Sequence, residues 1–86
     1  MRDVKSFAVE LVQGKAVGLR EMVGRRYRHY KGGEYWISDV VVNAATGELL
    51  VIYVSSDKGW RWCRPLESFI ELVSENPPVK RFTEVI

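Results

Sequence analysis

The hydrophobic pattern changes its period once along the chain. Val4, Phe7, Ala8, Leu11 and Val12 recur at helical spacing, which predicts one apolar stripe on an N-terminal amphipathic helix. Asp3 is placed to cap its start and Gly14 to end it. A helix of about ten residues does not persist alone in water, so it needs a surface to dock on. Leu19, Met22 and Val23 predict a short helical turn between Gly18 and Gly24. From Arg26 onward the period is that of strands. Tyr27 to Tyr30 reads as a strand, Lys31-Gly32-Gly33 as a turn, and Tyr35 to Ala44 as a long strand rich in aromatic and β-branched residues. A loop at residues 43–48, with Gly47 free to take positive φ, leads into a partner strand from Leu49 to Ser55. Both strands carry apolar side chains on alternating faces, which predicts cover on both sides. Ser56-Asp57-Lys58-Gly59 turns the chain into a short strand from Trp60 to Arg64.

Pro65 suits the first position of a helix. Leu66, Phe69, Ile70 and Val73 follow at helical spacing and leave Glu67, Glu71 and Glu75 on the exposed side. Asn76-Pro77-Pro78 ends that helix. Lys80 to Ile86 is a last strand with imperfect alternation, since Glu84 falls between Phe82 and Ile86 on one face. The expected fold is therefore mainly β: a small bent sheet of four to five strands closing into a barrel, with a short helix after Pro65. Closure removes exposed sheet edges, which matters in so short a chain. Residues 1–25 form a helical extension and residues 26–86 the barrel domain.

Size and charge narrow the function classes. At 86 residues the chain is one domain at most, and a chain this short buries only about 60% of its unfolded surface. No apolar run approaches the roughly 20 residues of a membrane span. Asp3, Lys5 and Glu10 interrupt any signal-peptide core. Cys63 is the only cysteine, so no internal disulfide forms and a reducing, cytoplasmic setting is expected. The net charge of +2 is too weak to argue for nucleic acid by itself. Its distribution says more, because Arg20, Arg25, Arg26, Arg28 and Lys31 stand against a single anion, Glu21, over residues 20–31.

The chemistry concentrates in the stretch from Arg25 to Trp36, which holds Tyr27, Tyr30, Tyr35, Trp36 and the only histidine, His29, among four cations. A catalytic reading is the weakest. A nucleophile needs a base within hydrogen-bond reach, and nothing in the spacing brings Cys63 or Ser38 to His29. One histidine and one cysteine fall short of a structural zinc site, and no cofactor is expected. Arginine forks can instead hold phosphate or carboxylate, and aromatic faces can stack a base. Strand alternation sends Tyr27 and His29 to one face and Arg28 and Tyr30 to the other. It also sends Trp60, Trp62 and Arg64 one way, and Arg61 and Cys63 the other. Two arrangements follow. With the tryptophans packed inside, the arginines are solvated or ion-paired and the cluster is structural. With them at a shared concave surface, Arg28, His29, Lys31, Tyr35, Trp62 and Arg64 form a binding site. Burial is worth roughly 1.5–3 kcal/mol per aromatic side chain, so most of the three tryptophans and four tyrosines are expected to pack. Flanked by Arg28 and Lys31, His29 is expected to resist protonation.

The run Tyr27-Arg28-His29-Tyr30-Lys31-Gly32, then Tyr35, then Trp62-x-Arg64-Pro65-Leu66 with Phe69, and finally Arg81-Phe82, resembles a family of short bacterial and phage domains of unknown function. The match covers roughly Arg26 to Ile86. The resemblance implies an SH3-like barrel and no activity. Cys63 stands where that pattern has an aliphatic residue, which suggests a core position. The reading is a non-catalytic module that binds an anionic, ring-containing ligand, such as a nucleotide or single-stranded nucleic acid. The alternative is a protein or peptide module using an aromatic groove. A homodimer is a further expectation, with the glutamate row of one copy meeting the basic strand of another.

Overall fold

The computed structural model describes residues 19–86. The helix expected on Val4 to Val12 lies outside the described residues. The described chain begins with a 3-10 turn at Arg20–Met22, closed by the Val23 N–H donating to the Arg20 carbonyl at 3.0 Å. Seven strands follow: β1 (Arg26–His29), β2 (Glu34–Val42), β3 (Leu49–Ser55), β4 (Arg61–Pro65), β5 (Leu72–Glu75), β6 (Pro78–Lys80) and β7 (Phe82–Glu84). One helix, α1 (Leu66–Ile70), separates β4 from β5. The strands form two antiparallel sheets, one ordered β4-β3-β2-β1-β7 and the other a β5-β6 ribbon. No helix among the described residues is long and apolar enough to cross a membrane.

The β1–β2 turn depends on its two glycines. Gly32 and Gly33 have φ of 101° and 89°, a region that L side chains avoid. This lets the Gly32 N–H reach the His29 carbonyl at 2.8 Å and reverses the chain. A bulge at Ser38 then explains why β2 reads as apolar on both faces. Ile37 pairs with Tyr53 and Asp39 with Ile52, so two β2 steps answer one β3 step. Without the extra residue, Ile37 and Val40 would point to opposite faces. With it, both enter the core, at 0% and 3% exposure. The Asp39 carboxylate accepts the Val40 N–H at 2.8 Å beside the bulge.

Ile37, Val40, Leu49, Val51, Tyr53, Leu66, Phe69 and Phe82 form the core. Phe69 of α1 stacks on Phe82 of β7, with centroids 4.2 Å apart and planes at 9°. Tyr27 and Tyr53 meet Phe69 edge-on, at 5.3 and 5.7 Å. These rings fill the concave side of the sheet, and they explain a departure from expectation. The tryptophans do not pack inside: Trp36, Trp60 and Trp62 are 39%, 66% and 50% exposed. Cys63 is also exposed rather than core. It pairs with Ile52 on the convex face, because Trp62 and Arg64 take the concave side opposite Tyr53 and Val51.

The C-terminal third holds more strands than the sequence pattern predicts. Helix α1 stops at Ile70, before Val73, because Leu72–Glu75 is drawn into extended pairing with Pro78–Lys80. The expected glutamate row is therefore broken. Glu67 lies on α1 and Glu75 on β5, while Glu71 pairs within the chain with Arg81. The Asn76–Pro77 peptide bond is cis and sits in the turn between β5 and β6. The main sheet ends at β4 on one side and β7 on the other, and these strands are not hydrogen-bonded neighbours.

Candidate functional site

Strand parity sorts the candidate residues. On β1, Arg28 faces Glu34 across the hairpin, whereas His29 pairs with Phe82 of β7. Residues directly opposite share a face, so Arg28 lies on the convex side and His29 on the concave side. The Arg28 Nη2 donates to the Glu34 carboxylate at 2.9 Å, and Arg26 approaches the same carboxylate at 4.0 Å. On β4, Trp62 pairs with Tyr53 and Arg64 with Val51, both on the concave side. Tyr35 pairs with Tyr27 and lies there too.

Four candidates thus converge on a floor made by Phe82 and Tyr53. His29 meets Phe82 edge-on at 4.9 Å, and Tyr35 does so at 5.9 Å. Tyr35 also meets Tyr53 at 5.4 Å. The Arg64 guanidinium carbon lies 5.9 Å from the centre of the Phe82 ring, a cation–π contact. Trp62 stands beside Tyr53 at the rim. Lys31 sits in the turn, with its backbone N–H donating to His29 Nδ1 at 3.1 Å and its ammonium 5.6 Å from the Tyr30 ring centre. Arg28 does not join the cluster.

Arg64 is the most constrained of these groups. Its Nε donates to the Tyr53 hydroxyl at 3.3 Å and its Nη1 to the Ser68 hydroxyl at 2.9 Å. No carboxylate among the described residues pairs with it. A guanidinium has five N–H donors in a rigid fork, so a fork held by two neutral hydroxyls keeps its charge and has donors to spare. Arg81 is arranged differently. Its Nε donates to the Ser68 carbonyl at 3.1 Å and its Nη2 to the Glu71 carboxylate, so it fastens α1 to the ribbon.

The surroundings of His29 set its charge. Burial, and then the cations of Arg64, Arg81 and Lys31, hold its imidazole below the ordinary value. With Nδ1 accepting from Lys31, the neutral ring carries its hydrogen on Nε2, which is left as a donor. Neighbouring cations suppress the charge of His29, so an anion placed among them would favour it.

Two clefts flank this cluster. One, of about 410 Å³, is walled by Tyr35, Trp60 and Trp62. The other, of about 560 Å³, lies at the β7 edge between Arg28, Tyr30, Lys80 and Val85 and takes in one side of His29. The larger cleft has Arg28, His29 and Lys80 in its wall against Glu84, although Arg28 is committed to Glu34. The smaller cleft has Lys58 against Glu34 and Asp57, so it offers aromatic faces rather than positive charge.

Sequence reasoning missed Tyr53, Ser68, Phe82 and Arg81 as parts of this site. Arg81-Phe82 stood within the motif that carries the resemblance, so a signal was present. Tyr53 shares the parity of Val51 on β3, but only the β3–β4 register sets it opposite Trp62. Ser68 follows Arg64 by four residues, a helical spacing, although a strand-to-helix junction lies between them.

A family model described as "Protein of unknown function (DUF1653)" matches residues 25–84. No curated protein and no solved structure matches the chain.

Proposed function

The chain belongs to the DUF1653 family of proteins of unknown function, and from its site we propose a non-catalytic binding module for an anionic ligand that carries a flat ring. Nucleotides and single-stranded nucleic acid are the chemical classes that fit. The observation that carries this reading is the Arg64 guanidinium, braced by Tyr53 and Ser68 over an aromatic floor and not neutralised by a carboxylate among the described residues. Arg64 takes the anion, His29 adds a directional donor and Lys31 contributes charge. Tyr35 and Trp62 stack the ring. Arg28, on the convex side, adds only to the long-range field. In this reading the bent sheet is an SH3-like barrel, with its binding mouth where Arg64 of β4 meets Phe82 of β7.

A peptide module is the second reading, favoured by the exposed Trp60 and Trp62 beside Tyr35. Aromatic-lined grooves of that kind dock proline-rich segments. Titrating the full chain with mononucleotides, short oligonucleotides and a proline-rich peptide, followed by tryptophan fluorescence, separates the two. Nucleotides or oligonucleotides are expected to bind. With two cationic phosphate contacts, from Arg64 and Lys31, the salt slope for a single strand is about −1.4, from roughly −0.7 per contact. Binding of the peptide alone would replace the nucleotide reading with the second one.

A further inference from the structure

The aromatic cleft beside Arg64 has a polarity of its own. Its far wall is the β3–β4 turn, held tightly by three bonds. The Gly59 N–H donates to the Ser55 carbonyl at 3.0 Å, the Ser55 N–H to the Trp60 carbonyl at 2.9 Å, and the Trp60 N–H to the Ser55 hydroxyl at 3.1 Å. Gly59, at φ 71°, permits this closure. The turn fixes Trp60 against the cleft and sets Asp57 and Lys58 at its lip. Glu34 also lines the cleft but is engaged by Arg28 and Arg26. Asp57 has no ion-pair or side-chain hydrogen-bond partner among the described residues.

A free carboxylate at the lip would repel a ligand that is anionic throughout. It suits a ligand whose charge lies at one end and whose ring carries hydrogen-bond donors at the other. Trp62 is two residues from Arg64 on one strand face, about 7 Å along β4, so the ring position in the cleft and the anion position at Arg64, outside its lining, are separated along the strand. A carboxylate offers two acceptor oxygens side by side. Among the common bases, guanine alone presents two adjacent donors on its Watson–Crick edge, N1–H and the 2-amino group. Adenine and cytosine set a ring acceptor beside their single amino group, and uracil flanks one N–H with two carbonyls.

Resting on the nucleotide reading above, we propose that the ring bound between Tyr35, Trp60 and Trp62 is guanine, and that the Asp57 carboxylate selects it. Lys58 at the same lip offsets part of the repulsion between Asp57 and the phosphate. Isothermal titration of the full chain with GMP, IMP and AMP tests this. GMP is expected to bind at least about tenfold more tightly than AMP, the scale of one bidentate base contact. IMP, which keeps N1–H but lacks the 2-amino group, should fall between them. Asp57→Asn should bring the GMP-to-AMP ratio close to one. Equal affinity for GMP and AMP, or an unchanged ratio in Asp57→Asn, would overturn the assignment of guanine and leave the nucleotide reading standing. Failure of all three nucleotides and of oligonucleotides to bind would overturn both.

Discussion

Replacing Arg64 with alanine is expected to weaken nucleotide binding by roughly 10- to 100-fold, the equivalent of about 1.5–3 kcal/mol in charge-assisted hydrogen bonds. The effect is large because Arg64 is prepositioned. Tyr53 and Ser68 hold the fork before any ligand arrives, so little ordering remains to be done on binding. The fold should survive. Arg64 is only half-buried, as is Ser68, and it lies outside the buried core cluster. Arg64→Lys should recover only part of the affinity, because an ammonium restores the charge but not the planar fork. Comparing binding isotherms and urea midpoints of the three proteins checks both halves. An Arg64→Ala protein that is folded and binds nucleotide as tightly as the parent would remove Arg64 from the site.

The largest expected loss of stability belongs to Phe69→Ala. Phe69 is 1% exposed and touches Tyr27, Tyr53 and Phe82 through its ring. Removing it costs about 3–5 kcal/mol in lost transfer energy and cavity. At roughly 0.05–0.15 kcal/mol per residue, that is a large share of the total stability of a chain of 86 residues. The urea midpoint should collapse, whereas Phe69→Leu should fall part of the way. Phe69 also supports Phe82, the floor beneath His29 and Arg64, so partial loss of packing there should loosen the site before the fold fails. A Phe69→Ala midpoint close to that of the parent would show that α1 does not anchor the core.

These two residues mark how much the sequence reveals. The strands around residues 26–65 were legible because the hydrophobic period and the glycine turns agree there. Parity separated His29 from Arg28, but it left open which face the Trp62–Arg64 side of β4 would take. What parity does not give is register. The pairing of Tyr53 with Trp62 depends on the β3–β4 register, and that of His29 with Phe82 on how β7 meets β1. The tryptophans were misread for an energetic reason. Burial favours them, but a small sheet has one concave side, and Phe69, Phe82 and Tyr53 already occupy it. Val73 misled as well. Its helical spacing from Leu66 was outweighed by the proline turn that pairs Leu72–Glu75 with Pro78–Lys80.

His29 offers the most direct test, because it is the only histidine and its ring signals in a proton NMR spectrum belong to one residue. Its titration should be followed in the free protein and at saturating GMP. Free, the imidazole should titrate below the ordinary value of about 6.5, held down by burial and by the nearby cations. With a phosphate seated against Arg64, its midpoint should rise, and nucleotide affinity should increase as the pH falls through that range. A midpoint that stays fixed while GMP is bound would mean that the anion rests elsewhere.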